Sequence, residues 1–253
     1  MLTALQTGAM VFTALFTVLV PLGAMLWLWK RRGGSWSAFF VGAGTFLLFS
    51  MVLEQALHLV VLKSALGPVI QGSLWLTALY GGLAAGLFEE TGRLAAFRFI
   101  LKKQTEPAAA LSYGLGHGGC EAALVTGLAM VSNLALVYLV KAGSLTDPAV
   151  TAMAETVAAT PAGMFLWAAL ERVSAIVLHT ANSVLVFAAV RRRKYALFGL
   201  AVLTHAGADF LAAIANAHLP IAATELLVLV FSILVVLLAA RVYGNLMKNT
   251  ENT

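Results

Sequence analysis

A chain of 253 residues that is 61% hydrophobic and only 11% charged, with a mean hydropathy of +0.92, is too apolar for a water-soluble domain. Its formal net charge of +5 comes from basic residues at the ends of apolar stretches, where they meet lipid headgroups, and this argues against a nucleic-acid partner. A single cysteine, Cys120, excludes an intrachain disulfide.

A transmembrane helix needs about 20 mostly apolar residues to cover about 30 Å of hydrocarbon. In chain order the stretches that qualify are 8–29, 36–62, 73–101, 111–140, 162–190, 195–216 and 221–243. They predict an all-α polytopic bundle of about seven transmembrane helices, with residues 1–253 forming one transmembrane domain in the cell membrane of a bacterium or archaeon. No basic segment precedes the first stretch, which reads as a retained helix rather than a cleaved signal. The one substantial loop, 141–161, contains Thr146-Asp147-Pro148 ahead of AVTAMAETVAA, a helix-start signal before a short surface helix.

Basic residues orient the spans, because they are retained on the cytoplasmic side. Lys30, Arg31, Arg32, Arg98, Lys102, Lys103, Arg191, Arg192, Arg193, Lys194, Arg241 and Lys248 follow spans one, three, five and seven, whereas Lys63 and Lys141 alone mark the other side. The N-terminus is therefore expected outside and the C-terminus in the cytoplasm.

Ionisable residues at bilayer depth are costly, face polar cavities and mark pathways or reaction centres. Here they are Glu54 and His58; Glu89, Glu90 and Arg93; His117 and Glu121; Glu171, Arg172 and His179; and His205 and Asp209. Residues four apart share a helix face, and that spacing recurs in Glu54/His58, Glu89/Arg93, His117/Glu121 and His205/Asp209. Measured by helical rise from the basic ends, Glu89, Arg93, His117, His179 and His205 lie about 9–18 Å deep. Four helices thus carry titratable groups to one level. One arginine cannot neutralise both Glu89 and Glu90, so one carboxylate is left for chemistry. Glycines near both motifs, at 81, 82 and 86 and at 114, 116, 118 and 119, admit close helix approach or a substrate backbone. Glu54/His58, nearer the outer face, and Glu171/Arg172 read as structural braces, the latter also as support for His179.

Glu89-Glu90-x-x-Arg93, Gly116-His117-Gly118-Gly119-x-Glu121, Glu171-Arg172 followed by His179, and His205-x-x-x-Asp209 resemble the motifs of the YhfC family. That family belongs to a wider clan of intramembrane proteases with the type II CAAX prenyl endopeptidases, the PrsW proteases and the non-proteolytic scaffold subunit of gamma-secretase. The resemblance implies an intramembrane endopeptidase acting on a membrane protein or peptide, with Glu89 as catalytic base assisted by His117 or His179. It further implies oxyanion stabilisation by His205, Asp209 orienting His205, Arg93 holding Glu90, and Glu121 within the same set. A glutamic mechanism in a cytoplasm-facing cavity is the favoured expectation. The soluble zincin signature His-Glu-x-x-His is absent, yet three histidines and a glutamate also compose a zinc site, so the metalloprotease alternative stays open. Two further classes compete: a scaffold or chaperone binding partner transmembrane helices, and a proton- or metal-coupled transporter, although no internal repeat of the kind many transporters carry is visible. Substrate identity and oligomeric state are not encoded in these motifs.

Overall fold

The structure, a computed structural model, describes residues 1–250, and among these there is no strand. Helix α1 is Ala4–Arg32, started by a capping box in which Thr3 and Gln6 satisfy each other's backbone N–H groups and closed by Gly33 at φ 69°. Helix α2 runs over Trp36–Leu62, and the short α3, Gly67–Gln71, leads into α4, Leu74–Ala95, which Ser73 caps. Helix α5 is Ala108–Lys141, and α6 is Pro148–Ala159 with Asp147 as its N-cap. The chain ends with α7, Ala162–Arg192, α8, Ala196–His218, and α9, Ile221–Thr250.

Six of these helices, α1, α2, α5, α7, α8 and α9, are long and apolar enough to cross a membrane. The chain is a multi-pass helical membrane protein. The stretch expected as a span at 73–101 forms α4, 22 residues long and therefore about 33 Å, but it is not among the six, because Glu89, Glu90 and Arg93 lower its hydropathy. The short surface helix expected after Asp147 is α6, tied to α1 by Gln6, whose Nε2 donates to the carbonyls of Ala158 and Thr160 at 2.8 Å each.

Helix α7 is the centre of the bundle. It packs on α1, α5, α8 and α9, and every residue from Ala181 to Ala189 is buried. Around it, α2 lies along α5 and α4 along α8. Both contacts are close enough to need glycine. A Cβ on Gly116 would run into the Phe39 carbonyl of α2, and one on Gly86 would come within 2.8 Å of the Val202 carbonyl of α8. Such backbone approach supplies packing that lipid-like side chains cannot. Gly81, by contrast, has nothing near it.

Three wide π-helical turns interrupt the regular helices, at Phe49–Glu54 in α2, Ala96–Ile100 at the end of α4 and Ala122–Gly127 in α5. A π-turn inserts a residue and rotates the following face. The third begins directly after Glu121.

Towards the basic end of α7 an aromatic cluster is packed beside Arg93. Phe97 sits between Tyr113 and Phe187 with ring centroids 4.8 and 5.3 Å apart, the Arg93 guanidinium lies 5.8 Å from the Tyr113 ring centroid, and Thr45 bonds the Tyr113 hydroxyl.

Candidate active site

Helix α4 presents Glu89 and Glu90 as consecutive residues, about 100° apart around the axis, and both are buried. Arg93, one turn on and completely buried, forms an ion pair with Glu90. Glu90 Oε1 also accepts from His205 Nδ1 of α8 at 2.8 Å and from Asn182 Nδ2 of α7 at 3.5 Å. Asn182 is itself held by the Thr204 hydroxyl at 2.9 Å. With Nδ1 protonated toward Glu90, the lone pair of His205 is on Nε2, which faces Glu89 Oε2 at 3.8 Å.

A second arm mirrors the first. Arg172 of α7 pairs with Glu171 and donates from Nη1 to Glu121 Oε1 at 2.7 Å. Glu121 Oε2 in turn lies 2.5 Å from His179 Nε2. With the Nε2 proton facing that carboxylate, Nδ1 is left free of hydrogen and lies 3.8 Å from Glu89 Oε2. Two arginine–glutamate–histidine arms, one from α4 to α8 and one within α7 and α5, therefore converge on one carboxylate oxygen.

His117 of α5 completes the cluster. Its Nε2 is 2.7 Å from the same Glu89 Oε2, while its buried Nδ1 has no hydrogen-bond partner among the described residues. Phe46 packs edge-on against its ring at 5.4 Å. The rings of His117 and His179 are 4.8 Å apart, and those of His179 and His205 are 5.1 Å apart.

Glu89, His179 and His205 each offer one ligand atom, all within 4.8 Å of one another. Bonds of about 2.1 Å in a tetrahedron set ligand atoms about 3.4 Å apart; the two separations from Glu89 are 3.8 Å, and the two histidine nitrogens, within 4.8 Å, have to draw together to complete the set. Each histidine also gives its other nitrogen to a carboxylate, the arrangement that fixes the tautomer of a metal-binding imidazole. The residues fit a divalent ion. One contact competes with it, because Arg93 Nη2 lies 3.2 Å from His179 Nδ1.

All eight residues singled out from the sequence line this cluster or support it. Their pairing differs from the within-helix spacing. Arg93 is paired with Glu90 rather than with Glu89; His117 turns to Glu89 and leaves Glu121 to Arg172 and His179; and His205 is 2.8 Å from Glu90 but 3.7 Å from Asp209. On an isolated helix the neighbour one turn away is the only partner. Inside a bundle the side chains share a dry interior, and the better-aligned opposite charge comes from another helix. Asp209 keeps 44% of its side chain exposed. Glu54 and His58 do form their within-helix pair at 3.3 Å, extended by a 2.9 Å bond from His58 Nδ1 to Tyr80, and Cys120 is half-buried and unbonded to sulfur.

Sequence reasoning missed Asn182, Thr204 and Tyr113, and it missed Thr224, Glu225 and Ser232 in the last span. Asn182 lies three residues after His179, on the same face, which is the signal that could have found it.

The site opens into a cavity of about 100 Å³ lined by Glu89, Glu121, Arg172, His179, His205 and Asp209. It shares Glu171, Ala212 and Val228 with an adjoining, larger cavity of about 440 Å³ lined also by Trp167, Asn216 and Glu225. The latter residues lie toward the Ala162, His218 and Ile221 ends of α7, α8 and α9. The expected cavity faces the basic ends; the lining of this one leads away from them, with Phe97, Tyr113 and Phe187 buried on the basic side beside a separate apolar groove of about 510 Å³ lined by Leu111, Val184 and Tyr243.

Comparison with known proteins places these residues in a family context. The model of a family described as YhfC intramembrane metalloprotease matches residues 16–233. The Bacillus subtilis (strain 168) protein named "Uncharacterized membrane protein YhfC" is 34% identical over 211 residues, covering 78% of this chain and 81% of the relative. No solved structure matches.

Proposed function

This chain belongs to the YhfC intramembrane metalloprotease family, and from that membership we propose that it hydrolyses a peptide bond of a membrane-embedded protein or peptide at the cluster around Glu89. The convergence of the two arginine–glutamate–histidine arms on Glu89 Oε2 carries the reading.

Glu89 Oε2, His179 Nδ1 and His205 Nε2 would hold the metal, with zinc the ion their chemistry suits. When bound, such an ion polarises the scissile carbonyl and lowers the pKa of the attacking water. Glu90 and Glu121 hold the outer imidazole protons, at Nδ1 of His205 and Nε2 of His179. Arg93 and Arg172 keep those two carboxylates ionised and in place. His117 donates Nε2–H to Glu89 and fixes the orientation of its carboxylate. Asp209, half exposed in the cavity and paired with no arginine among the described residues, takes the proton released by the water and delivers it to the departing amine, as general base and then general acid.

A metal-free reading has one observation in its favour: Arg93 Nη2 already occupies the lone pair of His179 Nδ1 at 3.2 Å. Glu89 would then take the water's proton itself, with His117 at 2.7 Å assisting and His205 donating to the oxyanion. Metal analysis of the purified protein separates the two. One equivalent of tightly held zinc, lost in Glu89→Gln, supports the first; a metal-free protein that cleaves in the presence of chelator supports the second.

With the basic ends in the cytoplasm and α4 counted as a seventh crossing, the cavity leads from mid-membrane toward the outer half of the bilayer. Comparing membrane peptides between cells carrying the native chain and cells carrying Glu89→Gln tests the activity. Fragments that vanish in the variant identify the substrate, and identical peptide sets refute proteolysis.

A further inference from the structure

Helix α9 carries three buried polar side chains that the catalytic cluster does not use. Thr224 is 3% exposed, Glu225 7% and Ser232 0%, and Thr224 Oγ1, Glu225 Oε2 and Ser232 Oγ each lack a hydrogen-bond partner among the described residues. They are not scattered through lipid-facing positions. Ser232 lines the cavity that contains Glu89 and His205, and Thr224 and Glu225 line the larger one that adjoins it.

An unpaired carboxylate is among the costliest groups to bury. The nearest cation cannot relieve it. Arg172, on the wall of the smaller cavity, is already shared between Glu121 and Glu171. The larger cavity is therefore acidic, with Glu171 and Glu225 on its wall and Trp167 also lining it. A cavity wall that carries both carboxylates and an aromatic ring favours an ammonium or guanidinium group.

The distance to the site is set by helix geometry. Glu225 precedes Ser232 by seven residues, about 10 Å along α9. An extended chain covers that span in about three residues.

We propose that Glu225, with Trp167, forms a specificity subsite for a lysine or arginine side chain of the substrate, about three residues from the scissile bond on the side leading away from the site. The term substrate rests on the proteolytic reading; the recognition of a cation does not. Unwound substrate backbone in this channel would find donors and acceptors in Thr224 and Ser232, which hydrocarbon does not offer. A basic residue near the end of a transmembrane segment places its charge in such a channel while its methylenes stay in apolar surroundings.

The probe is a Leu/Ala transmembrane peptide carrying one lysine, moved residue by residue through one end of the segment, against matched peptides with norleucine or glutamate. Binding is measured to the full chain in lipid nanodiscs, with Glu89→Gln in place to prevent turnover. At the best position the lysine peptide should bind about tenfold more tightly than the norleucine peptide. Glu225→Gln should erase that preference, and Glu225→Lys should transfer it to the glutamate peptide. Equal binding of the lysine and norleucine peptides, or a lysine preference that survives Glu225→Gln in a folded protein, overturns the proposal. A photo-crosslinker beside the peptide lysine requires no change at Glu225: adducts at Trp167, Asn216 or Thr224 support the subsite, and adducts elsewhere refute it. Because no cleavage is read, failure here leaves the proteolytic reading standing, and failure of that reading leaves the cation preference intact.

Discussion

His205 Nδ1 and Glu90 Oε1 lie 2.8 Å apart, and this one bond joins α8 to α4, sets the tautomer of His205 and directs its Nε2 at Glu89. The glutamate pair thereby divides its labour between neighbours in sequence. Glu90 is a fixed acceptor anchored by Arg93, and Glu89 is the carboxylate that faces the three imidazoles.

Replacing Glu89 by Gln should abolish cleavage and release a bound metal while the protein keeps its elution volume and helical content. Loss of a general base or its equivalent typically costs 10²–10⁴-fold. Turnover measured on purified variant protein, beside metal content, checks both effects; wild-type turnover would remove Glu89 from the mechanism.

Glu121→Gln touches no atom of the reacting site directly. It should weaken metal retention by about 10–100-fold, the usual effect of losing a carboxylate that orients a metal-binding histidine. Chelator titration of the two proteins gives the ratio. Unchanged retention would mean that His179 is not a ligand.

Asp209→Asn should separate holding from turning over. Metal content and folding stay native because Asp209 is 3.7 Å from His205 and partly exposed, while hydrolysis falls by about 10²–10⁴-fold. An active Asp209→Asn protein would return the proton acceptor to Glu89.

Arg93→Leu is a stability prediction. It leaves Glu90 without its arginine, held only by His205 and Asn182, in an interior where Arg93 is 0% exposed, and breaking such a pair costs about 3–5 kcal/mol. Thermal unfolding in detergent should show a clear fall in the midpoint, well beyond that of a lipid-facing control such as Leu79→Ala.

Two glycines near the sequence motifs should behave oppositely. Gly116→Ala forces α2 away from α5, because the new methyl meets the Phe39 carbonyl, and overpacking of this kind costs about 1–3 kcal/mol. Gly81→Ala enters open space and should gain up to about 1 kcal/mol from helix propensity. The same unfolding assay orders the pair.

Much of this architecture could be read from apolar runs. The helix expected over 36–62 occupies Trp36–Leu62, since a hydrophobic run bounded by Ser35 and Lys63 leaves little freedom in its ends. The last helix continues to Thr250, past the expected 243, because a helix can extend beyond hydrocarbon on residues such as Arg241 and Lys248 that hydropathy counts against it. Polar residues in apolar runs announced the site, but not their partners. Partner choice depends on how each helix is rotated about its axis, and three π-turns shift that rotation in ways no periodicity records. Glu225 escaped notice for a related reason. Four residues into a span, a carboxylate reads as facing headgroups, and only the placement of α7 and α8 around it buries it.

The central position of α7 also bears on how the molecule is made. Alone in a bilayer, this helix would expose Glu171, Arg172, His179 and Asn182 to lipid, each an expensive group at that depth. Their shelter comes partly from α1 and α5, which precede α7, and partly from α8 and α9, which leave the ribosome after it. The helix that bears the second arm is thus stable in the membrane only once the chain is nearly complete, so closing the fold and assembling the reactive centre are one event in biogenesis.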